Sequence, residues 1–114
     1  MTADVVVVPF PFTDSARSKR RPALVISRRD FNNRNHHSML AMITTAKRAQ
    51  WRSDVEIGDL EQAGLPRNSV VRMKIFTLDN RLILKRAGNL SLPDRIRVVQ
   101  DLKLILFDSG DLGL

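Results

Sequence analysis

The sequence predicts a mainly β domain, a small barrel of six short strands with one C-terminal helix packed on it. Three observations carry that expectation. Six short apolar or alternating runs are separated by turn-forming residues. Ser91-Leu92-Pro93-Asp94 has the form of a capping box, and apolar residues follow it at helical spacing. The chain has 114 residues, enough for one core and too few for two domains.

Val5-Val6-Val7-Val8 is continuous and β-branched, and Pro9-Phe10-Pro11-Phe12 is expected to end that first strand. Residues 13–19 are polar and read as a loop, after which residues 23–27 supply a second apolar strand. Residues 28–35, rich in Arg and Asn, read as the next connection. Met39-Leu40-Ala41-Met42-Ile43 is too short for a helix and ends in Thr44-Thr45, so it is a third strand. Residues 53–57 alternate polar and apolar up to Gly58, as a half-buried strand does. Gly64-Leu65-Pro66 is a loop before strands over 70–77 and 81–84, with Leu78-Asp79-Asn80 as a tight turn between them. In the terminal helix Pro93 is tolerated in the first turn, and the Ser91 hydroxyl and Asp94 carboxylate serve the free amides of the helix start. Ile96, Val99, Leu102 and Leu106 form its apolar stripe to about residue 107, and residues 108–114 read as a fraying tail.

Nineteen Lys and Arg against twelve Asp and Glu give a formal charge of +7, which favours nucleic acid or another polyanion as partner. The chain has no cysteine, which excludes disulfides, thiolate metal sites and cysteine nucleophiles. No apolar run approaches the roughly 20 residues of a spanning helix, and no basic segment precedes an apolar one at the N-terminus, so neither a membrane anchor nor a signal peptide is expected. Cytoplasmic residence fits. His36 and His37 are adjacent, so in a strand they point to opposite faces and do not share a metal. HExxH, P-loop and GxSxG motifs are absent, and with them the commonest signs of zinc proteolysis, nucleotide hydrolysis and serine hydrolysis. No metal and no cofactor is expected.

Three places put polar or charged groups at strand ends: Arg21 in Lys19-Arg20-Arg21-Pro22, the Thr44-Thr45 pair, and Arg72 in Val70-Val71-Arg72-Met73-Lys74. An arginine is permanently charged and its forked donors fit phosphate oxygens, so it can hold a phosphate or stabilise charge developing on it. Cleavage of RNA by its own 2′-hydroxyl needs that hydroxyl oriented, the phosphorane oxygens neutralised and the 5′-oxygen helped to leave, and cations with hydroxyls supply much of this.

The stretches Val5 to Asp14, Arg21-Pro22-Ala23-Leu24-Val25-Ile26-Ser27, Met42-Ile43-Thr44-Thr45, and Ser69-Val70-Val71-Arg72 through Phe76-Thr77-Leu78-Asp79 resemble, in order, the signature blocks of the MazF/PemK family of toxin endoribonucleases. The resemblance covers most of the chain, and its Arg-Pro-x-Leu-Val-Ile block is the most specific. It implies an SH3-like, CcdB/PemK-like β-barrel and a homodimer. The implied activity is metal-independent cleavage of single-stranded RNA to 2′,3′-cyclic phosphate and 5′-hydroxyl ends, restrained by a cognate antitoxin. Carried over by position, Arg21 is similar to the family's catalytic arginine, Thr44 to its catalytic threonine with Thr45 as the neighbouring alternative, and Arg72 to a second cationic group of some members. Some members also carry a carboxylate two residues after that arginine, where this chain has Lys74. His36, His37, a water or a substrate base remain as acceptors for the 2′-hydroxyl proton.

Lys19, Arg20, Arg28, Arg29, Arg34 and Lys74 are candidates for RNA phosphates, and Phe10, Phe12, Phe31 and Trp51 for stacked bases. Phenylalanines beside apolar strands are ordinarily core, whereas Trp51 lies between Gln50 and Arg52 in a polar connection. Asp54 and Glu56 would repel an RNA backbone unless they face away. Two rivals use the same chain differently: a gyrase-binding toxin of the CcdB type, and a nucleic-acid module that binds without cutting.

Overall fold

The computed structural model describes residues 1–10 and 19–107, with Phe10 described by its backbone alone. The expectations for Pro11, Phe12, residues 13–18 and the tail at 108–114 lie outside the described residues.

The first hairpin pairs β1 (Asp4–Phe10) with β2 (Lys19–Val25), from Val5 opposite Leu24 to Phe10 opposite Lys19. Two expectations are corrected here. Strand β1 does not stop at Pro9, and the basic cluster at Lys19, Arg20 and Arg21 is the first half of a strand, not the loop before it. Both prolines sit where their strand has one neighbour. The pairing of β1 with β6 (Lys85–Asn89) runs only from Asp4 to Val7, and the pairing of β2 with β3 (His37–Thr45) begins only at Ala23. A missing N–H is tolerated at such a position.

The polar stretch expected as a connection folds as helix α1 (Arg29–Asn35), closed by His36 in the left-handed region at φ 55°. Its polarity is used internally. Asn32 is buried and accepts from the Ser27 hydroxyl, its carbonyl takes the Asn80 amide at 2.9 Å, and Asn80 in turn accepts from the Ser38 hydroxyl at 2.6 Å. A short helix that buries little apolar surface is held by satisfied polar groups of this kind.

Strand β3 pairs with the long β5 (Ser69–Asp79), which takes in Leu78 and Asp79 of the expected turn and leaves only Asn80 to it. The chain then makes one 3-10 turn (Asn80–Leu82), and the last strand is β6, not the expected run at 81–84. Leu82 and Leu84 are exposed, and β6 is a charged edge strand containing glycine, a composition that hides it from any apolar pattern. Strand β4 shortens to Val55–Glu56, and an unexpected turn of helix, α2 (Leu60–Ala63), follows with Asp59 as its cap.

The sheet order is β4-β5-β3-β2-β1-β6, antiparallel at every pairing and curled into a half-barrel whose edge strands β4 and β6 do not pair with each other. One face carries Val5, Leu24, Ala41, Ile43, Val55 and Val71, covered by helix α3 (Leu92–Leu106). The other carries Val6, Val8, Ala23, Val25, Leu40 and Leu78. Helix α3 starts as expected, with the Ser91 hydroxyl accepting from the Asp94 amide, but Asp94 itself does not cap the helix. Its carboxylate is directed to the β4–α2 loop, so Asp94, Val98 and Leu102, four residues apart, form the inward row. Val99 is half-buried, while Ile96 and Leu106, expected in the apolar stripe, are exposed.

Candidate nucleic-acid interface

The face away from α3 brings two of the candidate catalytic residues together by register. In the β2–β3 ladder Ala23 faces Met42 and Leu24 faces Ala41. Continuing that register by two residues sets Arg21 opposite Thr44, on the same face, where the ladder has opened. Thr44 in turn faces Val70 on β5, and Val70 faces Glu56 on β4. The next row contains Ala23, Met42 and Arg72, and one further step of the β4–β5 register sets Asp54 opposite Arg72. Arg21 and Thr44 are both half-buried at the end of an apolar floor.

Between Ala41 opposite Ile75 and Met42 opposite Arg72, strand β5 contains two extra residues, Met73 and Lys74. An insertion of two keeps the alternation of faces. Met73 packs on the core beneath α3, and Lys74 emerges on the same face as Arg72.

Arg72 is only 9% exposed, and its guanidinium is committed. Nε donates to Asp54 Oδ1 at 3.1 Å, and Nη2 donates to Asp54 Oδ2 at 2.9 Å and to Gln50 Oε1 at 3.1 Å. Asp54 Oδ2 also accepts the backbone amides of Gln50 and Trp51, each at 2.9 Å. Burial alone would raise the Asp54 pKa, but the Arg72 hydrogen bond, the Trp51 and Gln50 amides and the Arg72 charge outweigh it and hold the carboxyl below its usual value. The same bond to Asp54 raises the Arg72 pKa against the opposing effect of burial.

Above this pair lies Trp51, 42% exposed, with the Arg72 Cζ 5.2 Å and the Lys74 Nζ 5.5 Å from its ring centroid. Both fall within cation–π range. Asp54 therefore faces Arg72 and not an RNA path, and Glu56 accepts the Ala49 amide at 3.3 Å. From the sequence, Asp54 reads only as a source of repulsion and Gln50 has no distinguishing mark. The signal available was the opposite charge of Asp54, just before β4, and Arg72 on β5.

Other candidates are dispersed. Lys19 is exposed at the start of β2 with Arg21, whereas Arg20 and Thr45, one residue out of phase with Arg21 and Thr44, belong to the opposite side of their strands. Arg28 lies beyond the far end of β2, pairs with Asp30 at 3.4 Å and lines a separate cavity of about 480 Å³ with Arg29 and Arg95. Phe31 and Arg34 lie on α1 at that same end. His37 begins β3 seven residues before Thr44, roughly 23 Å away at about 3.3 Å per residue. Neither histidine thus belongs to the Arg21–Thr44 group, and among the described residues no three His, Cys, Asp or Glu side chains cluster as metal ligands.

A fixed cation and a hydroxyl on one face can hold a phosphodiester and stabilise charge on it, and an exposed indole with an adjacent ammonium can take a base and its phosphate. No curated protein matches the sequence significantly. Solved structures do resemble it in fold. The Mycobacterium tuberculosis toxin MazF-mt6 is 18% identical, with 89% of this chain and 93% of that one covered at a TM-score of 0.72. An endoribonuclease in complex with its cognate antitoxin from a mycobacterial species is 16% identical, with 93% of each chain covered at 0.75. A MazE–MazF complex from Deinococcus radiodurans is 19% identical, with 93% of each covered at 0.72. The family model for the PemK-like, MazF-like toxins of type II toxin-antitoxin systems matches residues 2–106, and the chain belongs to that family.

Proposed function

We propose that this protein is the toxin of a type II toxin-antitoxin pair and acts in the cytoplasm as a metal-independent endoribonuclease on single-stranded RNA. The observation that carries the proposal is that Arg21 and Thr44 share one face of the sheet and one row of the continued β2–β3 register, beside the apolar residues Val8 and Val70. In this reaction the 2′-oxygen attacks the adjacent phosphorus and the bond to the 5′-oxygen breaks. The products are a 2′,3′-cyclic phosphate and a 5′-hydroxyl. The 2′-hydroxyl loses its proton to a base, and the leaving 5′-oxygen takes one up. Arg21 binds the scissile phosphate and stabilises the charge that grows on its non-bridging oxygens, while Thr44 orients a phosphate oxygen or the attacking hydroxyl by hydrogen bond. Lys19 and Lys74 supply charge along the strand.

Protein partners fit the same reading. Leu92, Ile96, Leu104, Ile105 and Leu106 are exposed along α3, with Phe107 just past its end, an apolar surface of the kind that marks association. Two of the similar structures are complexes of a toxin with its antitoxin. A homodimer and a cognate antitoxin are accordingly proposed here.

A binding module without cleavage is the second reading. It is favoured by Lys74, which stands two residues after Arg72, and by the distance of both histidines from Thr44. Incubating antitoxin-free protein with a long single-stranded RNA in EDTA separates the two. Discrete cuts with cyclic phosphate ends support the enzyme, and bound but intact RNA supports the module.

A further inference from the structure

We propose that Arg72 and Asp54 form a positioning device that builds a base-stacking subsite at Trp51, and that Arg72 serves RNA through this ring and not through its own charge. The inference rests on the RNA-binding part of the function proposed above and is independent of cleavage.

The geometry favours this role on three counts. The Arg72 fork is closed on a buried carboxylate, whose charge cancels its own, and its Nη2 is further shared with Gln50. A guanidinium so engaged offers a phosphate little net charge unless Asp54 is displaced. The same carboxylate accepts the amides of Gln50 and Trp51 and so fixes the backbone that bears the indole. Finally, the buried guanidinium lies over the ring at 5.2 Å, and the indole remains 42% exposed.

An exposed indole on a pinned backbone offers a flat apolar face that a ligand can cover. An unstacked nucleobase is the chemical class that fits, because every base has a face that stacks on indole whatever its sequence. The phosphate next to that base is then within reach of Lys74, whose ammonium lies 5.5 Å from the ring. Pre-fixing the ring reduces the ordering that binding would otherwise require.

The test uses the whole protein and a single-stranded RNA made uncleavable by 2′-O-methylation. Trp51 is the only tryptophan in the chain, so its emission reports on this subsite directly. Saturating RNA is expected to quench that emission, and Trp51→Ala is expected to weaken binding roughly tenfold. Arg72→Lys, which keeps the charge and loses the fork, should weaken binding about as much as Trp51→Ala. Asp54→Asn should do the same, although it removes a negative charge beside the RNA. Each combined with Trp51→Ala should add nothing further.

If Arg72 instead acts by charge, Arg72→Lys retains full affinity and Asp54→Asn binds as tightly as the parent or tighter. Either result overturns the proposal. Should Asp54→Asn fail to fold, the Arg72→Lys and Trp51→Ala pair still decides through its additivity. Binding with unchanged Trp51 emission overturns this inference alone, and no RNA binding by the unaltered protein overturns the RNA reading with it.

Discussion

Asp94 lies in the first turn of α3, yet its carboxylate accepts the backbone amide of Gly58 at 2.9 Å, and with its second oxygen that of Asp59 at 3.0 Å. Asp94 is 1% exposed, and its carboxylate also receives Arg97. This contact ties the terminal helix to the segment that follows β4. It orients the helix so that Val98 and Leu102 meet the core.

The loss of that tie should be costly. Asp94→Ala removes the acceptor for two amides and leaves Arg97 with the Glu56 carbonyl but no carboxylate, so unfolding free energy should fall by about 2–4 kcal/mol, checked by urea titration. The pH dependence has a definite sign. Burial raises the Asp94 pKa, but the Asp59 and Gly58 amides, the Ser91 hydroxyl and the Arg97 charge outweigh it and hold the carboxyl below its ordinary value. Its contribution is therefore complete above about pH 4, the unfolded value, and is lost as pH falls through the lower folded value. In Asp94→Asn the melting temperature should fall less steeply over that acid range than in the parent.

Gly88 on β6 lies under helix α2. A Cβ built there would be 2.3 Å from the Gln62 carbonyl oxygen and 2.7 Å from the Ala63 carbonyl carbon, both backbone atoms that cannot rotate away. Gly88→Ala should thus push α2 off the sheet edge and cost about 1–3 kcal/mol, on the scale of overpacking, with a lowered denaturation midpoint as the readout.

Arg21 and Thr44 should separate chemistry from affinity. Arg21→Ala is expected to lower the cleavage rate at saturating RNA by at least about tenfold, and Thr44→Val to lower it in the same direction by removing one hydroxyl. Both proteins should keep the parent's circular dichroism spectrum. Single-turnover kinetics check this, and an unchanged rate for folded Arg21→Ala would remove it from the chemistry.

Salt dependence should distinguish the two ends of the sheet. RNA affinity is expected to fall linearly on a log–log plot against salt, and Lys74→Gln should reduce the slope by about 1. Arg28→Gln, beyond the far end of β2, should leave the slope unchanged. A reduced slope for Arg28→Gln would extend the RNA path to the α1 end.

The legible parts of the fold were those whose burial follows a simple period. The valines of β1, the apolar half of β2, Met39 to Ile43 and the Ser91 cap all advertise their role in composition, and each stands where it was expected. Strand β6 did not, because an edge strand of Lys-Arg-Ala-Gly-Asn is set by the β1 ladder and by the close approach of α2, neither of which leaves an apolar pattern. Helix α1 looks like a loop in the sequence because its stability comes from buried polar contacts at Asn32 and Asn80, 48 residues apart. In the candidate interface, Arg21 and Thr44 stand out in the sequence as a charged and a hydroxylic residue beside apolar runs. The Arg72–Asp54 pair was not, since it depends on a register between β4 and β5 that no local signal announces.

The most direct test of the account is an end-mapped digest in excess EDTA, comparing the antitoxin-free protein with Arg21→Ala on one long single-stranded RNA. Discrete cuts bearing 2′,3′-cyclic phosphate and 5′-hydroxyl ends are expected, at least about tenfold weaker with Arg21→Ala. Intact RNA with the parent protein, or equal cutting by both proteins, would contradict it.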